Sequence, residues 1–117
     1  MAEVTILRDI SLRRKEILEK VSDENREYAE SYLKHINVSA YERTTISSKI
    51  QMLLHYLEFI ADHLNNKSIK DISVSEMEDY LLYLGRCGLQ PNSITTKMNG
   101  LSAFYKFLIN KGVTTFN

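Results

Sequence analysis

Short polar side chains and one cation cluster directly after Pro91, the only proline of this 117-residue chain. Asn92, Ser93, Thr96 and Lys97 fall within the first two turns of a predicted helix. Hydroxyl and amide groups beside the positive end of a helix dipole favour a bound phosphate. The same residue types also serve as ordinary helix caps, and the two roles are compatible. The pattern therefore indicates an anion-binding helix start.

The helix that must position these groups is predicted from its apolar spacing. Ile94, Met98, Leu101, Tyr105 and Leu108 recur at intervals of three and four residues, which places them on one side of a helix over about 92–111. A glycine at position 112 is expected to end it. One face therefore belongs to a core, and the opposite face of the first turns is polar and basic.

The charge is distributed unevenly along the chain. The last acidic residue is Asp79, and Arg86, Lys97, Lys106 and Lys111 lie beyond it, although the formal net charge is zero. The cationic C-terminal third keeps nucleic acid among the possible partners. Lys106 and Lys111 lie toward a helix C-terminus, where stabilisation by the helix dipole explains them better, and they are left out of the predicted site.

Length and composition predict one all-helical domain. The chain has 44% hydrophobic and 26% charged residues, four glycines, one proline and one cysteine, Cys87, which cannot form an internal disulfide. No apolar run approaches the roughly 20 residues that cross a bilayer, and no signal peptide is visible. A cytoplasmic location without membrane partners is therefore expected.

Periodicity and capping signals predict five helices, at about 5–21, 22–38, 44–64, 73–84 and 92–111. Ser22 and either Thr44 or Thr45 are predicted N-caps, and Ser73 with Glu76 matches a capping box. Asparagines at 65 and 66 are expected to end the longest helix, because asparagine tolerates the left-handed conformation.

Several motifs occur in an order that is specific to one family. They are Thr44-Thr45-Ile46 and 53–60 in the long helix, 69–73 before the short helix, Gly88-Leu89 with Ser93-Ile94 around the last turn, and 101–108 in the last helix. From about Glu24 onward the chain resembles the N-terminal core-binding domain of tyrosine recombinases of the phage-integrase type. The resemblance covers about four fifths of the chain.

The resemblance implies an all-α fold, a compact four-helix SAM-like core-binding bundle over 23–117 preceded by an accessory N-terminal helix over 1–22. In that family two helices of this domain enter the major groove, and they match the helices that begin near Thr44 and Asn92. Arginine and lysine would contact phosphates, and Asn92 or Ser48 would contact base edges. The implied DNA-binding residues are Arg43, Thr44, Thr45, Ser48, Lys49, Asn92, Ser93, Thr96 and Lys97, with Gly100 as a further candidate.

The catalytic half of such recombinases has no counterpart here. Each histidine lacks the arginine three residues later that the family's His-x-x-Arg box requires. We therefore expect no catalytic residue, cofactor or metal in this chain, whose parent would be a DNA breaking and rejoining enzyme. The resemblance implies double-stranded DNA as partner, other recombinase subunits beside the full-length protein on DNA, and a monomeric isolated domain.

Two other classes of function stay open from the sequence. Helical bundles of this kind often bind proteins, and zero net charge suits a protein-interaction module. A helical metal hydrolase would use His55, Glu58 and Asp62 on one helix face, but a solvated polar face explains them better. Convergence of Arg43, Lys49, Arg86 and Lys97 on one face would favour DNA, and scattered positions would favour the protein-interaction module.

Overall fold

The computed structural model describes residues 15–38 and 43–113, with side chains described for 15–36 and 46–113. Residues 15–20 form the described part of a first helix, α1. The second helix, α2, spans Asp23–Val38, and Ser22 caps it as predicted, since its hydroxyl accepts a hydrogen bond from the Asn25 amide at 3.3 Å. The described elements contain no strand, which confirms the predicted all-α class.

The described end of α1 packs on the bundle. Ile17 and Val21 are buried in the same core as the other helices, and the ammonium of Lys20 lies 3.2 Å from Glu58 and 3.1 Å from Asp62. The predicted part of this helix before residue 15 lies outside the described residues. The division at residue 22 between an accessory helix and the core-binding domain stays a prediction.

The longest described helix, α3, spans Arg43–His63. It begins one or two residues before the predicted caps, so Thr44 and Thr45 lie inside its first turn. Asn65 and Asn66 follow it with φ of 53° and 56°, which confirms that left-handed asparagines end the helix. Because α3 contacts both α2 and a later helix, it buries apolar residues on two adjacent stripes. They are Leu53, Leu57 and Ile60 on one stripe and Met52, Tyr56 and Phe59 on the other.

A short 3₁₀ turn at Ile69–Asp71 leads into α4, Val74–Arg86. The predicted capping box is confirmed: the Ser73 hydroxyl accepts from the Glu76 amide at 3.1 Å, and the Glu76 carboxylate accepts from the Ser73 amide at 2.9 Å. Gly88 follows with φ of 89°, a conformation that favours glycine, and allows the turn toward the last helix.

The last helix, α5, spans Pro91–Asn110. The prediction that Asn92 and Ser93 open it is wrong by one residue: Pro91 occupies the first turn and Gln90 is the N-cap, without a side-chain capping bond. Proline suits this position because its fixed φ is helical and its missing N–H needs no partner there. Gly112, with φ of 75°, ends the helix as predicted.

The core lies around α3 and α5, which pack on each other. Helix α2 contacts both, and α4 packs on α5. On the α2 side, the ring of Tyr32 lies 5.1 Å from that of Phe104 and 5.3 Å from that of Phe107. The consequence for function is that α3 and α5 are held in a fixed crossing, while several polar positions in their N-terminal halves stay open to solvent.

Candidate nucleic-acid interface

The crossing of α3 and α5 is close because Gly100 has no side chain. A Cβ at this position would lie 2.9 Å from the Met52 Cε and 3.2 Å from its Cγ. Met52 is buried against this glycine, so the two backbones approach where any larger residue would force the methionine to move. The contact fixes how the polar residues beside it face each other.

A cleft of about 480 Å³ opens beside this crossing. Its lining residues are Ser48, Lys49, Gln51 and Met52 from α3, and Thr96, Lys97, Asn99 and Gly100 from α5. The structure therefore brings together four of the predicted site residues, from two segments about fifty residues apart, and it places the further candidate Gly100 in the same cleft. This arrangement could not be read from either helix alone.

The cleft has a cationic character. Lys49 and Lys97 line it from opposite helices, and none of its described lining residues is acidic. Partial burial lowers the pKa of Lys97 below its ordinary value, because removal of water disfavours the charged ammonium. An anion bound beside Lys97 would restore the stabilisation that water no longer provides.

The hydroxyl groups at the start of α5 have internal partners. Thr95 donates to the Pro91 carbonyl at 3.1 Å, and Thr96 donates to the Asn92 carbonyl at 3.0 Å. Their protons are therefore used within the helix, and each hydroxyl is left to accept rather than to donate. Thr96 lines the cleft, but as a phosphate donor it is weaker than the sequence suggested.

The remaining predicted residues divide into two groups. Asn92 and Ser93 are exposed in the first turn of α5, outside the cleft lining, where the free amides of that turn also lie. The side chains of Arg43, Thr44 and Thr45 lie outside the described residues, so their part in the site stays a prediction. The backbone positions of these five residues are compatible with the prediction that they contact DNA.

Of the four cations expected to converge, two are seen to do so. Lys49 and Lys97 share the cleft, Arg86 is exposed at the end of α4 and is absent from the lining, and the Arg43 side chain is not described. The cleft also contains Gln51 and Asn99, which are not among the predicted site residues. Their only sequence signal is a spacing of three residues from Ser48 and from Thr96.

The face of α3 that carries His55, Glu58 and Asp62, for which the sequence favours a solvated polar face over a metal site, has side-chain contacts of its own. Lys20 lies against Glu58 and Asp62, and the His55 Nδ1 lies 3.0 Å from the Tyr80 hydroxyl. Among the described residues no cluster of three or more histidine, cysteine or acidic side chains could hold a metal ion. These residues act as surface and packing contacts of α3.

The fold and the cleft together define a class: a small, all-helical module with a cationic cleft between two of its helices. The chain belongs to the family of phage-integrase N-terminal SAM-like domains, whose model matches residues 28–115. This assignment confirms the resemblance noted in the sequence. It covers α3, α4 and α5 in full, and most of α2.

One curated relative is the tyrosine recombinase XerD of Rickettsia conorii (strain ATCC VR-613 / Malish 7), which is 30% identical over 78 residues. The match covers 67% of this chain and 25% of the relative, so the chain spans about a quarter of that protein's length. No solved structure shows a significant match. In the described part of the chain, no helix is both long and apolar enough to cross a membrane.

Proposed function

We propose that this domain binds double-stranded DNA through the cleft between α3 and α5, as the DNA-gripping part of a tyrosine recombinase. The observation that carries the proposal is the convergence of Ser48 and Lys49 with Thr96 and Lys97 in a cleft whose described lining has no acidic residue. Cutting and rejoining of DNA would belong to other parts of the parent protein. This chain would supply grip and orientation.

The physical case rests on charge and on shape. A phosphate contacted by a lysine releases condensed counterions, which makes binding favourable and dependent on salt. The major groove, about 12 Å wide, admits an α-helix, and contacts to the phosphates on its two sides fix the register of the protein. Lysines on two adjacent helices suit such contacts, because each helix can present one cation to the backbone.

The affinity of the isolated domain should be low. Each phosphate contact contributes about 0.9 to the slope of log affinity against log salt, so two cleft lysines contribute about 1.8. A fourfold rise in salt would then weaken binding about twelvefold through these two residues alone. With a few further contacts at the helix starts, we expect micromolar or weaker dissociation constants at physiological salt, on the scale of non-specific binding.

The test is a titration of duplex DNA at low salt, followed by amide signals in NMR spectra. Signals of residues 44–49 and 92–97 should shift, and those of α1 should not. Changing Lys49 and Lys97 together to alanine should lower the salt slope by about 1.8. The matched control changes Lys106 and Lys111 to alanine, which removes the same charge from the other end of α5.

Equal losses in the two double variants would contradict the proposal, because general charge rather than the cleft would then explain binding. Shifts confined to α1, or no shifts at all, would also contradict it. In that case the protein-interaction module that the sequence left open would become the better explanation.

A further inference from the structure

Two amide side chains face the same cleft from different helices. Gln51 directly precedes Met52 on α3, and Asn99 directly precedes Gly100 on α5, so both lie beside the contact between Met52 and Gly100. Both side chains are exposed. Their backbones belong to continuous helices whose crossing is fixed by packing, and the two amides are therefore presented together from a rigid frame.

These amides differ chemically from the other groups in the cleft. A lysine ammonium is a point charge that either a phosphate or a guanine edge can satisfy. The Thr96 hydroxyl already donates within the helix. A carboxamide offers one donor and one acceptor in a single plane, which matches the N6 donor and N7 acceptor of adenine in the major groove. The amides are therefore the groups best able to distinguish one base pair from another.

We propose that Gln51 and Asn99 read adenine in the major groove and give the domain a preference for A·T pairs opposite the cleft. This inference rests on the proposed function, because it assumes that duplex DNA occupies the cleft. In this arrangement the two lysines hold the phosphates on either side, and the amides reach the base edges between them. The preference should be at least about fivefold for each bidentate contact, the lower end of what such pairs provide.

The experiment begins with selection of duplexes from a library with a randomised centre, using the whole 117-residue chain at low salt. In the best duplex each adenine is then replaced in turn by 7-deazaadenine, which removes the N7 acceptor and preserves pairing and backbone charge. We expect about fivefold weaker binding at one or two positions. The Gln51→Ala and Asn99→Ala variants should each lose the sensitivity at one of them.

The controls separate base reading from folding and from charge. Asn110→Ala removes the same side chain from the exposed C-terminal end of α5, outside this cleft, and should keep the full pattern of sensitivity. Alanine is a better helix former than asparagine or glutamine, so the folding of all three variants should be preserved. Lys97→Ala should weaken all duplexes by the same factor and leave the base preference unchanged.

The outcomes distinguish this inference from the function on which it rests. A selected pool without adenine preference, or sensitivity that survives in the Gln51 and Asn99 variants, would overturn base reading and leave DNA binding standing. Failure of the unmodified chain to bind any duplex would overturn both. Loss of sensitivity at separate positions in the two variants would support the proposal.

Discussion

A buried chain of hydrogen bonds joins α3, α5 and the turn before α4. The Tyr105 hydroxyl donates to the Ile69 carbonyl at 3.0 Å and lies 2.7 Å from the Tyr56 hydroxyl. Because a carbonyl can only accept, the single proton of Tyr105 goes to Ile69, and Tyr56 must donate to Tyr105. Burial raises the pKa of Tyr105 to about 12 and raises the pKa of Tyr56 as well, so both hydroxyls stay protonated at neutral pH.

This order of donors predicts unequal costs for two similar substitutions. Tyr105→Phe leaves the buried Tyr56 hydroxyl unpaired, which costs about 1–3 kcal/mol. It also removes the shorter of two hydrogen bonds to the Ile69 carbonyl, which keeps only the Ile72 amide at 3.4 Å, so we expect a total loss of about 2–4 kcal/mol. Tyr56→Phe removes only the hydrogen bond between the two tyrosines and preserves the bond from Tyr105 to Ile69. This substitution should therefore cost about 1 kcal/mol of stability. The double variant should cost no more than Tyr105→Phe alone, because Tyr56→Phe removes the very hydroxyl that Tyr105→Phe leaves unpaired.

The assay is urea unfolding followed by far-ultraviolet circular dichroism at neutral pH. Losses should appear as lower midpoints with unchanged slopes, since the surface exposed on unfolding is the same in all variants. Equal costs for the two single variants would refute the donor order. A double variant whose cost is the sum of the single costs would refute the coupling, because residues in one network should not be additive.

Three further predictions concern single residues. Burial lowers the pKa of Lys97, and a bound phosphate would raise that pKa. The affinity for duplex DNA, measured by anisotropy titration, should therefore fall as the pH rises through the lowered pKa of Lys97. The Lys97→Arg variant stays charged over this pH range, so its affinity should depend less on pH. Gly100→Ala should change the stability by less than about 1 kcal/mol in thermal melts, because the higher helix propensity of alanine offsets the displacement of the flexible Met52 side chain. Gly100→Leu should destabilise the domain and weaken DNA binding, because the larger side chain cannot be accommodated beside Met52. Asn25→Ala removes the hydrogen-bond partner of the Lys67 carbonyl and of the Ile69 amide. The variant should lose about 2–4 kcal/mol of stability, measured by urea unfolding.

Much of the fold could be predicted from the sequence, because its signals are local. Apolar residues at spacings of three and four identify the buried faces of α3 and α5, and the capping box of Ser73 and Glu76 depends on residues three apart. The predicted start of α5 is one residue too late, because Asn92 and Ser93 are residue types that commonly cap helices. The preference of Pro91 for the first helical turn prevailed there, and left them inside the helix.

The site could be predicted only in part. Hydroxyl groups and lysines near helix starts can be identified in the sequence as candidate phosphate contacts. The resemblance to a family then indicates which two helices are expected to contact DNA. Gln51 was missed because a single amide on a helix surface has no local meaning. Its relation to Asn99 exists only through the contact of Met52 with Gly100, which joins residues nearly fifty positions apart. Long-range packing of this kind cannot be inferred from periodicity.

The zero net charge of the chain is compatible with DNA binding because charge is separated in space. The acidic groups Glu58 and Asp62 lie against Lys20 on the C-terminal half of α3, whereas the cleft holds cations among its described lining residues. A chain with zero net charge has little long-range attraction to DNA, so the proposed binding would depend on short-range contacts in the cleft. If a second DNA-contacting module is linked to this domain in the parent protein, effective concentration would multiply two weak affinities. If the domain binds DNA as proposed, its weak and local contacts would allow the duplex to be released, and the linked module would supply the remaining affinity.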